Sequence, residues 1–322
     1  MTLIDRRRVI AGAALGMLPA AVRAQAYPSK PIRWIVPFAA AGNYDITSRL
    51  VGEAMGRLLG QTVVPDNRPG AGGLVGTEAA ANAPADGYTV VMGSFTVQFV
   101  SPYLAGKPSL LPLFAPISLL TTVPMVIVTR ADGGFADFKA ALAAARAKPG
   151  TVSIGHAGNG TTNHIAILRL QVTEKVQLNV IPYKGSGPGL ADLLAGQIDL
   201  YTDQLSTSLP QIKAGKLRAL LVVAPERIAQ LPEVPSLTDI GSPPFDGGTT
   251  AGLFARAETP PAILDTLNGA CVAALKDPEV SRKLAELGAV VRPSTRAEFA
   301  AYLKDQEAGV SELVKSGLLK PE

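Results

Sequence analysis

Side chains able to do covalent or metal chemistry are few and scattered in this chain. His156 and His164 are its two histidines and Cys271 its one cysteine. No carboxylate stands at i, i+4 from either histidine, so the ligand set of a metal centre is not assembled. Ser186 lies in Gly-Ser-Gly rather than in G-x-S-x-G, and neither histidine has an acidic neighbour to orient it, which argues against acyl transfer. The glycines of PGAGGLVG, Gly70, Gly72, Gly73 and Gly76, miss the dinucleotide spacing and follow Asp66-Asn67-Arg68-Pro69 instead of emerging directly from a strand. They read as a tight loop whose permissive backbone lets two lobes approach. No catalytic residue, metal or cofactor is expected.

What remains is chemistry done by backbone. In VPFAAAGNYDI, residues 36 to 46, a strand runs through three alanines and a glycine into a helix, and GNGTTNH, residues 158 to 164, repeats the arrangement after TVSIGHA. A helix entered through small residues leaves unpaired N–H groups and a partial positive charge pointing outward. Two such ends facing one cleft would suit an anion, most naturally a carboxylate. Asn43 and Asp45 add polar groups at the first loop, and Thr161, Thr162 and Asn163 at the second. One of Thr161 and Thr162 is expected to cap its helix and leave the other free. His164 is either a ligand contact or a polar residue of the first helical turn.

These loops need elements to hold them. From Pro31 onward, short β-branched runs alternate with longer amphipathic stretches, the pattern of an α/β fold with largely parallel strands. The strand candidates are IRWIVPF, TVVPD, YTVVMGS, APISLL, PMVIVT, VSIGHAG, LNVIPY, IDLYTD, LRALLVV, GLFAR and AVVRPS. That is many for one sheet, and two smaller sheets in two lobes, with a cleft between them, is the economical arrangement. A helix over Asp45 to Leu59 carries Arg49, Glu53 and Arg57 as a charge ladder. Another, Pro261 to Leu275, places Cys271 on its apolar stripe, as a small core residue and not a nucleophile.

The chain has 322 residues, 47% apolar and 17% charged, enough for a two-domain globule. Its first residues stand apart: a basic start, an apolar run from Val9 to Val22 and small residues at the end make 1–26 a signal peptide, cleaved after Ala24 or Ala26. Arg6-Arg7-Arg8 resembles a twin-arginine signal, and the general secretory route fits equally; either ends in the periplasm. The run is too short to span a bilayer. Four arginines of this leader against Asp5 supply +3 of the formal charge of +4, leaving about +1 on the mature chain, and nucleic acid is not an expected partner.

Taken in order, the stretches YPSKPIRWIVPFAAAGNYDITSR, DNRPGAGGLVGTEAAANAPADGYTVVMGS, AKPGTVSIGHAGNGTTNH and IPYKGSGPGLADLLAGQIDLYTDQ resemble the Bug family, the TctC-type extracytoplasmic receptors of tripartite tricarboxylate transporters. The resemblance implies a type II periplasmic-binding-protein fold, with lobe one at 27–126 and 250–322 and lobe two at 127–249, closing by a hinge over a small carboxylate. The ligand classes it leaves open are di- or tricarboxylates, amino acids and aromatic acids. Carried over by position, the contacts are Phe38, Ala39, Ala40, Gly42 and Asp45 from lobe one and Gly160, Thr161, Thr162 and His164 from lobe two. Ser94 and Asp203 match further places along the cleft, Asp203 for a ligand amine or hydroxyl or as a cap. An aromatic acid would rest on Phe38 or Tyr44. Two positions depart from the family pattern: Ala41 replaces a glycine able to take positive φ, and Thr250 replaces a tryptophan, which would widen the cleft or give it hydroxyls. The expected protein is a monomeric receptor delivering its ligand to a membrane transporter. A sensor module for a membrane histidine kinase is the alternative, and an exported enzyme is disfavoured.

Overall fold

All eleven apolar runs become strands, because each is a short β-branched or aromatic segment ended by glycine, proline or a polar turn. The computed structural model describes residues 27–245, 247–315 and 321, so the proposed signal peptide lies outside the described residues. In chain order the strands are β1 (Ile32–Val36), β2 (Val63–Asn67), β3 (Thr89–Gly93), β4 (Phe114–Val123), β5 (Met125–Arg130) and β6 (Ser153–His156). They continue as β7 (Asn179–Pro182), β8 (Leu200–Gln204), β9 (Leu217–Val222), β10 (Thr249–Arg256) and β11 (Val290–Val291). The helices are α1 (Asn43–Leu59), α2 (Leu74–Ala81), α3 (Ser101–Leu104), α4 (Phe138–Ala147) and α5 (Thr162–Glu174). After them come α6 (Ser186–Leu194), α7 (Leu205–Lys213), α8 (Pro261–Lys276), α9 (Pro278–Glu286) and α10 (Arg296–Lys315).

Two sheets result, one ordered β11-β4-β10-β3-β1-β2 and the other β7-β6-β8-β5-β9. They are mixed rather than largely parallel. Strands joined through helices pair parallel, β1 with β2 and β3, and β6 with β7 and β8. The strands that carry the chain between lobes, β4, β5 and β10, pair antiparallel with their neighbours. A crossing strand enters its sheet from the side of the other lobe, which reverses its direction. The first crossing is at Pro124, between β4 and β5, so the boundary drawn after residue 126 falls inside β5. The chain returns to the first sheet at Thr249.

The apolar layer of the first sheet runs on into the second lobe, where Val126, Val128 and Tyr201 join it, and the second sheet packs a separate layer as well. Trp34, Met55 and Leu253 belong to the core of the first lobe, and Ile127, Ile154 and Leu200 to that of the second. Cys271 is fully buried on α8, and burial pushes its thiol up to about 12, as its place on the apolar stripe foretells. Among the described residues no helix is long and apolar enough to cross a membrane.

Candidate functional site

The loop after β1 turns at Ala41, whose φ of 62 lies in the left-handed region despite its side chain. Alanine keeps here the positive φ that a glycine would take, and the reason is local. Ala41 N–H donates to Asp45 Oδ2 at 2.9 Å, and Arg49 holds the same carboxylate, with Nε at 3.0 Å from Oδ2 and Nη2 at 2.9 Å from Oδ1. These bonds offset a left-handed alanine's cost of about 1–2 kcal/mol. Burial alone would raise the Asp45 pKa, but the bonds from Arg49 and Ala41 outweigh it and hold the carboxyl below its ordinary value. Asp45 is therefore committed to shaping the loop. Gly42, the N-cap of α1, has no side-chain cap, and the helix start is left open to the cleft.

In the second lobe Thr161 is the cap of α5. Its Oγ1 donates to Gly158 O at 2.6 Å and accepts from His164 N–H at 3.4 Å. Thr162, one residue on, directs its hydroxyl to Thr96 Oγ1 of the other lobe, 3.5 Å away. His164 Nδ1 accepts from Gly160 N–H at 3.3 Å, and its ring stacks on His156 at 4.6 Å. A third helix start completes the arrangement. α6 begins at Ser186 after Gly185, again without a side-chain cap.

The starts of α1, α5 and α6 converge on a small cavity between the lobes. Of the residues expected from sequence, Phe38, Gly42, Tyr44, Thr161 and Thr162 line it. Ser94 and Thr250 line a neighbouring chamber instead, with the Thr250 hydroxyl 3.0 Å from that of Thr122. Ala39, Ala40, Asp45, Gly160, His164 and Asp203 line neither. Ala39 N–H is engaged by Lys184 O across the lobes at 3.0 Å, and Gly160 packs on Ser101. Asp203 is fully buried and accepts from the Thr207 and Ser208 hydroxyls, both at 2.5 Å, in the first turn of α7. Burial raises its pKa, and its position favours the capping alternative.

Sequence reading missed Gln204, the hub of the cavity wall. Its Nε2 donates to Asn163 Oδ1 at 2.9 Å and to Thr249 Oγ1 at 3.1 Å, and its Oε1 accepts from Ser186 Oγ at 3.1 Å. Asn43 Oδ1 accepts from Ser206 Oγ at 2.9 Å, while its buried Nδ2 finds no partner among the described residues. The Tyr44 hydroxyl is likewise buried without one. The signal is in the sequence, where GSG opens a helix after a strand just as GNYD and GTTN do. Among the described residues no group of three or more His, Cys, Asp or Glu is arranged to hold a metal.

His156 gives the second lobe a pH dependence. It is fully buried, its Nδ1 accepts from Gly158 N–H at 3.2 Å, and burial first and His164 second lower its pKa to about 3. The unfolded imidazole titrates near 6.5, so below that pH protons favour the unfolded chain. The stability from keeping His156 neutral is full above about pH 6.5 and declines as pH falls towards 3, by up to about 1.4 kcal/mol per unit. Urea unfolding between pH 7 and 5 is expected to show this slope, and His156→Asn, which keeps an acceptor for Gly158, is expected to flatten it. An unchanged slope would assign the acid sensitivity elsewhere.

Comparison with known proteins agrees with this geometry. Residues 47–318 match the tripartite tricarboxylate transporter family receptor, TctC. The chain belongs to this family. It is 39% identical over 295 residues, 88% of this chain and 86% of the relative, to a UPF0065 protein in the tcbD-tcbE intergenic region of Pseudomonas sp. strain P51. It is similar to the structure of the periplasmic binding protein BugD, at a TM-score of 0.87 and 33% identity over 92% of this chain and all of the other. MatC from Rhodopseudomonas palustris, solved with bound malate, superposes at a TM-score of 0.83 with 31% identity, over 89% of this chain and 100% of the other. The two-lobed periplasmic-binding-protein fold and the Bug/TctC resemblance are thus shown, and the TctC receptors and their structural neighbours are solute-binding proteins.

Proposed function

We propose that the protein captures a small carboxylate between its lobes in the periplasm, as a monomer, and delivers it to a tripartite tricarboxylate-type membrane transporter. The observation that carries this reading is the convergence of three helix N-termini and the unpartnered Asn43 Nδ2 on one small cavity. Each terminus favours an anion by about 0.3–1 kcal/mol when exposed and up to ~2 kcal/mol in partly buried geometry, and hydrogen bonds to a charged acceptor add to that. The malate bound by the related MatC is a ligand of this class. Micromolar affinity would correspond to roughly −8 kcal/mol.

A thermal-shift screen of mono- and dicarboxylates against neutral sugars and amines tests the class, since a ligand raises the melting temperature by mass action. Sugars or amines shifting it while no carboxylate does would sink the proposal. Two substitutions then separate roles that the sequence left together. Thr161→Ala is expected to lower stability by about 1 kcal/mol, as for a lost N-cap. Thr162→Ala is expected to leave the melting temperature near its original value and to weaken carboxylate binding by about 5–10-fold in calorimetry. Unchanged affinity in Thr162→Ala would reduce that hydroxyl to a contact between the lobes.

A further inference from the structure

The inner cavity has a neighbour. Thr96 and Thr162 stand in the walls of both, and beyond them lies a larger chamber lined in part by Ser94, Phe245, Thr250 and Arg169. Arg169 reaches it from α5, two turns beyond the helix start that faces the inner cavity. Its Nε is buried and without a hydrogen-bond partner, and no carboxylate among the described residues forms an ion pair with it. Asp305 lines the same chamber from α10 and makes no such pair. The guanidinium carbon lies 5.0 Å from the centre of the Phe245 ring, which leaves the planar fork partly desolvated and held in place. Burial lowers the arginine's pKa with no opposing charge among the described residues to compensate, although the group stays cationic at any physiological pH.

A partly buried cation without a counter-charge is unfavourable unless something supplies the anion. Solvent and a ligand can both reach this one, because it borders an open chamber that adjoins the inner cavity. We propose that the outer chamber is a second anion subsite, in which Arg169 pairs with the far acidic group of an elongated dicarboxylate whose first carboxylate lies where α1, α5 and α6 converge. The proposal rests on the carboxylate reading of the inner cavity. Geometry bounds the ligand. Seven residues of helix separate Thr162 from Arg169, about 10 Å of axis, and a helical side chain leans back towards the N-terminus. A ligand joining the two points therefore needs a body of about six carbons or longer. Thr96 and Thr162 line both spaces, and Ser94 and Thr250 add hydroxyls to the outer one.

Isothermal titration of the purified protein with matched pairs, adipate against hexanoate and suberate against octanoate, tests this. At least one dicarboxylate is expected to bind about tenfold or more tightly than its monocarboxylate partner, the order of one charge-assisted pair. Arg169→Gln is expected to abolish that preference while leaving monocarboxylate affinity unchanged, and Arg169→Lys to retain part of it. Melting curves check that both variants fold, and should Arg169→Gln fail to fold, Arg169→Lys and the preference of the unaltered protein decide. Equal affinity for the two members of every pair, or an equal loss for both in Arg169→Gln, overturns the subsite and leaves the inner carboxylate site standing. If no carboxylate binds at all, the inner reading falls and the subsite falls with it.

Discussion

Replacing Gly72 by alanine is expected to weaken ligand binding on the order of 100-fold while leaving both lobes folded. Gly72 has φ 61, and a Cβ added to it would lie 1.8 Å from the carbonyl oxygen of Asn159 in the other lobe. The obstacle is backbone on both sides, since a Cβ on Gly158 would stand 2.9 Å from the Gly72 Cα and one on Gly160 2.7 Å from the Ser101 Cα, and Ser101 Oγ donates to both Gly72 O and Asn159 O. No rotamer change can relieve such a contact; the lobes must separate. A penalty of about 2–3 kcal/mol on the closed form alone divides its population, and so the apparent affinity, by roughly 100. Alanine at φ 61 also costs stability by itself, about 1 kcal/mol. Gly60→Ala separates the two effects, because Gly60 has φ 66 with nothing within 4 Å of an added Cβ. It is expected to lower the melting temperature slightly and leave affinity alone. Calorimetry on both variants decides: wild-type affinity in Gly72→Ala would mean that ligand is held without this contact between the lobes.

The reading of PGAGGLVG as a loop for close approach succeeded for the same physical reason. A glycine run that fails a fingerprint still announces backbone needing unusual φ or bare access, and here it meets Asn159 and Gly158. The strands were legible because each is a local pattern of at most ten residues. Convergence was not. Nothing within IPYKGSGPGL says which helix starts it will face, and the third N-terminus emerges only when β7 is placed beside β6. The part Asp45 plays in the loop is legible as well, because Arg49 stands four residues on, the spacing of a helical ion pair. The direction of the strands depended on where the crossings fall, a tertiary fact that strand patterns do not carry.

Gln204 makes the second large prediction, because its side chain is bonded to three other members of the cavity wall. Leucine in its place fills a similar volume but leaves Asn163 Oδ1 and the hydroxyls of Ser186 and Thr249 without their partner. A buried polar group deprived of a partner costs about 1–3 kcal/mol, and hydroxyls can rotate to recover part of it, so Gln204→Leu is expected to lose about 3 kcal/mol of stability. In a chain of this size that is a fall in melting temperature of roughly 5–10 °C. Binding should suffer too, since Asn163 and Ser186 lie at the starts of α5 and α6 and are held there through Gln204. Gln204→Glu separates positioning from charge. It keeps an acceptor for Ser186 but removes both donors and puts a carboxylate against the cavity. If the cavity holds an anion, Gln204→Glu loses more carboxylate affinity at neutral pH than Gln204→Leu does, although it keeps more of the network. The reverse order would mean that the wall acts through its hydrogen bonds alone, and the helix termini would then have to supply the attraction unaided.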